Sequence, residues 1–322
     1  MCLFIFKQVC IPYDVCYFIL HRCDWSELVV AASADGRFRD LVVNILKRRI
    51  HSILLLFMPE DYVPIFWTLM NSSKSCIMGG MVACIMMGSD HSSFYTDSCP
   101  LQLDIVVPKN DASSSTAVQV QRMLQAIGYV LVTVQSNPGS FAACTVLIEI
   151  YHNAVRHFIW LSTELISVEQ ILDTSICLLH GRSPSVLNVV LHSPSTAMFK
   201  VLTPTFIYDF YPSLTANRIA LTVSKYIQYS PTFVYSFGMR SYPVNSPLYR
   251  DCVRVCPVRV RCTRGLVGVT KLRWRLINDT EFVTCRNDGF ESEDLWWRLS
   301  DHCLNHACRY GGRPKFLYDN VS

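Results

Sequence analysis

Apolar and polar positions change period several times along the chain, and each change predicts an element. Leu41, Val42, Ile45, Leu46, Ile50 and Ile53 recur at three- and four-residue steps and predict a helix over Phe38 to Leu56. A second, shorter helix is expected from Tyr62 to Met70, with Val63, Phe66, Trp67 and Met70 on one face. Cys76-Ile77-Met78 reads as a short apolar strand that ends at Gly79-Gly80, and Met81 to Met87 as a helix. From Leu101 to Val107 the period drops to two: Leu103, Ile105 and Val107 alternate with Gln102, Asp104 and Val106, the mark of a strand. A helix carrying Val120, Met123, Leu124 and Ile127 follows, and Gly128 stands where a left-handed cap residue belongs.

Beyond that point the pattern is less regular. Strands are expected at Tyr129 to Val134, Thr145 to Tyr151, Phe158 to Ser162 and Val186 to His192. Glu164 to His180 reads as a helix or an insertion, and Thr196 to Tyr226 as a proline-punctuated helical stretch. Short strands and turns run to Arg275, and a final helix is expected from Ser292 to Arg309. Residues 1–35 are apolar without a clean period and read as an irregular N-terminal extension. The division that follows is an extension at 1–35, a core at 36–229 and a C-terminal basic, cysteine-bearing region at 230–322. Strand–helix units followed by several strands give an α/β or α+β fold, one mixed sheet with helices against it.

Composition narrows the class. Of 322 residues, 51% are hydrophobic and 17% charged, enough for a large core and too apolar for extensive disorder. The net charge of +4 is too mild to imply nucleic acid by itself. There are fifteen cysteines, and the apolar N-terminus is interrupted by Lys7, Pro12 and Asp14, unlike a secretory signal. The thiols are therefore expected to be reduced and mostly buried, in a cytoplasmic or nuclear protein without a membrane span.

Chemistry is suggested first by Gly79-Gly80. A glycine turn between strand and helix presents backbone N–H groups at a positive helix end, which suits phosphate; a plain tight turn has the same signature. The strand that follows carries Asp104. In nucleotidyl transfer, two carboxylates one residue apart on a strand, with a third from a neighbour, hold Mg²⁺ against a triphosphate. The order strand, Gly-Gly, helix, Leu103-Asp104-Ile105-Val106-Val107-Pro108, helix, Gly128-Tyr129, strand resembles the nucleotidyltransferase superfamily, the fold shared with polymerase β. It is most similar to a divergent, mainly fungal group in which Ser-Gly-Ser precedes Asp-Leu-Asp-Ile-Tyr-Val-Pro. His192 to Thr196, Phe210-Tyr211-Pro212 with Leu214-Thr215, Lys225-Tyr226 and Cys256-Pro257 extend the likeness over about residues 65–275.

The resemblance implies a metal site, and this sequence departs from it. Gln102 stands at the first carboxylate position and Asn188 at the third, leaving Asp104 as the residual metal ligand. The expectation is a nucleotidyltransferase-like protein without catalytic activity, retaining nucleotide or partner binding, with Gly79 and Gly80 taking phosphate. An alternative is an active Mg²⁺-dependent transferase with a relocated carboxylate from Asp90, Asp97 or Glu149. A second alternative is a polyanion- or protein-binding module on the basic 250–275 segment, where Arg259, Arg261, Lys271 and Arg273 alternate along strands. Cys252, Cys256 and Cys262, with His302, Cys303, His306 and Cys308, lack a Cys-x2-Cys knuckle, and buried free thiols are the default over zinc.

Overall fold

The computed structural model describes residues 3–6, 9–88, 101–109, 113–136, 145–160, 167–182, 184–191, 193, 195–222, 240–243, 270–274, 295–297 and 316–318. The chain opens with a hairpin of β1 (Leu3–Phe6) and β2 (Val9–Pro12). Helices α1 (Tyr13–Arg22), α2 (Trp25–Ala34) and α3 (Gly36–Leu54) follow. The stretch read as irregular is therefore mostly helical. Its outer positions, Val15, Phe18, Ile19 and Val30, are as apolar as its buried ones, Cys16, Leu20, Trp25 and Leu28, so the helical period is hidden. Local signals fix the breaks. The Asp24 carboxylate accepts from the Glu27 N–H while Glu27 accepts from the Asp24 N–H, a capping box for α2. The Asp35 side chain accepts from the Arg37 N–H and caps α3.

Arg49 ties these helices together. Its buried guanidinium donates to the carbonyls of His21 and Cys23 at 2.7 and 2.8 Å, and to that of Ile85 at 3.2 Å. Burial lowers its pKa to about 10. The cation satisfies carbonyls at the end of α1 and late in α5 (Gly80–Met87), where a helix favours positive charge.

Helix α4 (Val63–Ser72) leads into β3 (Cys76–Met78), then α5 and β4 (Leu101–Val107). Helix α6 (Ser113–Ala126) precedes strands β5 (Val130–Ser136), β6 (Thr145–Trp160) and β7 (Ser167–Gly181). Then come α7 (Leu187–Leu191), β8 (Lys200–Leu202), β9 (Phe206–Asp209), α8 (Pro212–Ala216) and β10 (Ile219–Thr222). The described C-terminal strands are β11 (Arg240–Pro243), β12 (Thr270–Arg273), β13 (Leu295–Trp297) and β14 (Phe316–Tyr318).

Eight strands form one mixed sheet in the order β12-β9-β8-β3-β4-β7-β6-β5. Only β4 and β7 run parallel; the other neighbours are antiparallel. On one face Ile77, Leu103, Ile105, Val107, Ile176, Leu178 and Leu202 pack in one cluster with apolar residues of α1 to α6. On the other, Cys76, Met78, Val106, Cys177, Leu179 and Val201 pack with α7 and α8. The fold is mixed α/β, as expected. No helix among the described residues is long and apolar enough to cross a membrane.

Several expected elements differ. The strands expected at Thr145 and Phe158 are one strand, β6. The helix or insertion at Glu164 to His180 is largely β7, whose fifteen residues are held by pairing with β6 and β4, contacts that leave no local signature. The strand expected at Val186 to His192 is helix α7; a short continuous apolar run fits a buried helix as well as a buried strand. The helical stretch from Thr196 is interrupted by the β8–β9 hairpin. Leu295–Trp297, expected to lie in a helix, is extended and pairs with β14.

Candidate functional site

Gly79 needs to be glycine. Its φ is +76°, a region side chains rarely enter, and a Cβ there would lie 3.2 Å from the Asp104 carboxylate and 3.6 Å from the Met198 methyl. Its N–H donates to the Lys200 carbonyl at 3.2 Å, locking the end of β3 to β8, and α5 begins at once. Met78 pairs with Asp104 across β3 and β4. The fold thus brings the glycine turn and Asp104 together. Both glycines are buried, however, and the group beside the turn is Asp104's own carboxylate. A phosphate at this turn would meet that charge unless a proton or a cation stood between them.

Asp104 is 8% exposed, and the Gln102 side-chain amide donates to it. Burial raises its pKa to about 6, partly offset by that hydrogen bond. Pairing with β7 sets Gln102 opposite Ser175 and Asp104 opposite Cys177. Burial, and then the Asp104 charge, push the Cys177 thiol well up, so this thiol stays protonated.

Among the described residues, the donor set around Asp104 does not fit Mg²⁺. The ion needs several oxygens around it, and the described neighbours are an amide that turns its N–H toward the carboxylate and a protonated thiol. Asn188 sits on α7, not on a strand beside β4. Among the described residues, no group of three or more His, Cys, Asp or Glu side chains could hold a metal ion.

Glu149 lies on β6, two strands from β4; it pairs with Leu178 of β7 and faces the side covered by α1 to α6, opposite to the face of Asp104. There it is occupied. The Gln121 amide of α6 lies 2.8 Å from both carboxylate oxygens, the Tyr151 hydroxyl donates at 3.3 Å, and His180 Nε2 lies at 3.1 Å. Burial would raise the Glu149 pKa, but the hydrogen bonds from His180, Gln121 and Tyr151 outweigh it and hold the pKa below the usual carboxylate range. This cluster escaped the sequence reading, because its members come from α6, β6 and β7 and share no motif.

The remaining candidates divide. Asp90 and Asp97 lie outside the described residues, as do Arg259, Arg261 and every cysteine and histidine considered for zinc. Lys271 and Arg273 lie on edge strand β12 and alternate with Leu272, as predicted. Their cations stand 5.1 and 5.2 Å from the centre of the Phe206 ring, a stacked pair on one side of the sheet. The described cysteines Cys16, Cys76, Cys84 and Cys177 are free and buried.

No protein-family model and no curated protein matches this chain.

Proposed function

We propose that this chain is a nucleotidyltransferase-like scaffold whose transferase chemistry has been lost, and that it acts by binding a nucleotide or a partner. The observation that carries the reading is the setting of Asp104 among the described residues. It lies against a glycine turn at a helix start, as a metal-binding carboxylate of such a fold would, yet its described neighbours Gln102, Ser175 and Cys177 supply no second carboxylate. Two-metal catalysis needs a metal ion at both the attacking and the leaving oxygen, and one carboxylate cannot hold two such ions. The fifteen cysteines, with the described ones reduced, suit a cytoplasmic or nuclear protein.

The test is nucleotidyl transfer from labelled ATP by the full chain, with and without Mg²⁺, beside a calorimetric ATP titration. No transfer is expected under either condition, and any ATP binding should not need Mg²⁺. Mg²⁺-dependent transfer that disappears in Asp104→Ala overturns the reading. Transfer that survives Asp104→Ala belongs to another site.

A further inference from the structure

Helix α1 carries apolar side chains on two faces. Cys16 and Leu20 are buried on the inner one. On the outer one, Val15, Phe18 and Ile19 are 43%, 58% and 53% exposed. With Arg22, also exposed, they occupy the i, i+3, i+4 and i+7 positions of a single stripe. An outward apolar stripe rimmed by charge marks an interaction surface. The charge here is positive. The Arg22 guanidinium lies 4.4 Å from the centre of the Phe18 ring, and the Arg48 guanidinium of α3 lies 5.2 Å from that of Tyr17. Between α1 and α3 runs a groove of about 510 Å³ lined by Tyr13, Asp14, Tyr17, Asn44, Lys47 and Arg48, two cations to one acid. The next acids along the chain, Asp24 and Glu27, are engaged in the capping box of α2. His21 records the sign of the local field: burial lowers its pKa, and the charges of Arg49, Arg48 and Arg22 lower it further.

We propose that α1 docks on an anionic lipid bilayer, with Val15, Phe18 and Ile19 entering the boundary of headgroups and acyl chains and Arg22, Lys47 and Arg48 meeting lipid phosphates. Three features select this occupant. The stripe lies on the outer face of a surface helix, so it projects as a crest, and a fluid bilayer accommodates a crest where a rigid partner would need a matching groove. The flanking cations are long side chains that lay their stems along apolar surface and hold their charge at headgroup level. Each of them gains from the negative potential of an anionic leaflet, so the groove and the crest favour the same surface. Since no helix among the described residues is long and apolar enough to cross a membrane, α1 would lie on the bilayer and not span it. Three apolar side chains bury less than a lipid anchor does, so binding is reversible and depends on the cations. Salt should therefore weaken it. This inference stands apart from the nucleotidyltransferase reading and uses none of its residues.

Flotation of the full chain with phosphatidylcholine vesicles, with and without about one-third phosphatidylserine and at lipid concentrations reaching roughly 2 mM, tests it. The expected result is binding to the anionic vesicles only, falling as salt is added. Phe18→Ser/Ile19→Ser should abolish it, and Lys47→Ala/Arg48→Ala should weaken it roughly thirtyfold. All four side chains are exposed, so both variants should keep the wild-type melting temperature. Ile65→Ser, at an exposed apolar position on α4, should bind like wild type. Hydrogen exchange on the unmodified protein is the second measurement: amides of α1 should exchange more slowly with anionic vesicles, and at their free rate with soluble polyglutamate or inorganic phosphate. No binding to anionic vesicles, equal binding to neutral ones, binding that survives the two serines, or protection of α1 by polyglutamate or phosphate overturns the proposal.

Discussion

Asp104 and Glu149 are both nearly buried acids on the same sheet, and they behave in opposite ways. Among the described residues, Asp104 receives a side-chain hydrogen bond from Gln102 only, and burial raises its pKa to about 6. Glu149 is surrounded by Gln121, Tyr151 and His180, and its pKa falls despite burial. Burial alone does not set the sign; the number of donors aimed at the carboxylate does. Glu149 is thus a structural anion that fixes α6 to the sheet. Asp104 carries a charge that the fold tolerates without rewarding.

The strongest way to break this contrast is to remove Glu149. Glu149→Ala leaves Gln121 and Tyr151 without their acceptor and His180 without its partner, and should cost about 3 kcal/mol in urea unfolding. The sign of the pH dependence follows from the lowered pKa. Stability from Glu149 is complete above the unfolded carboxylate value of 4.5 and is lost as pH falls through the lower folded value. The wild type should therefore lose its advantage over Glu149→Ala only in that acid range.

Asp104→Asn should act in the opposite direction. A folded pKa near 6 against an unfolded value of 3.8 means that ionisation opposes folding, fully above pH 6 and not at all below pH 3.8. The substitution should stabilise the protein by roughly 3 kcal/mol at neutral pH, and the gain should shrink toward zero near pH 4. Thermal melts at both pH values decide it; an equal gain at both would mean that charge is not the cause. Gly79→Ala should cost about 1–2 kcal/mol, from the positive φ and the close approach to Asp104. The smallest effect is expected at Gln102. Gln102→Leu removes the opposing hydrogen bond and should move the Asp104 carboxyl resonance titration to higher pH, with a change in stability of about 1 kcal/mol.

Much of this contrast was legible in the sequence on one side only. Asp104 and Gln102 share a face by alternation along seven residues, and the glycine turn lies just before them, so local periodicity was enough. The same holds for α3, whose apolar residues recur every turn, and for Gly128, whose φ of +94° suits the cap position it was given. Glu149 was visible as a carboxylate on a strand, but its face was not, because that depends on register against β7 far along the chain. β7 itself was misread: it is buried on both faces, with Ile176 and Leu178 in one core and Cys177 and Leu179 in the other, so alternation vanished. Asn188 was expected on a strand, and that segment is helix α7 here.

Arg49 has a consequence for the order of folding. It reaches His21, Cys23 and Ile85, at sequence separations of 28, 26 and 36 residues. By contrast, Ile77 of β3 pairs with Leu202 of β8, 125 positions later (202 − 77). Closing short loops precedes closing long ones at similar reward, so the helices gathered by the guanidinium should assemble before β8 docks on β3. During that interval the free side of β3 is open to other chains. Weakening Arg49 should therefore show first as lower refolding yield at high protein concentration, before any loss in the protein that does fold.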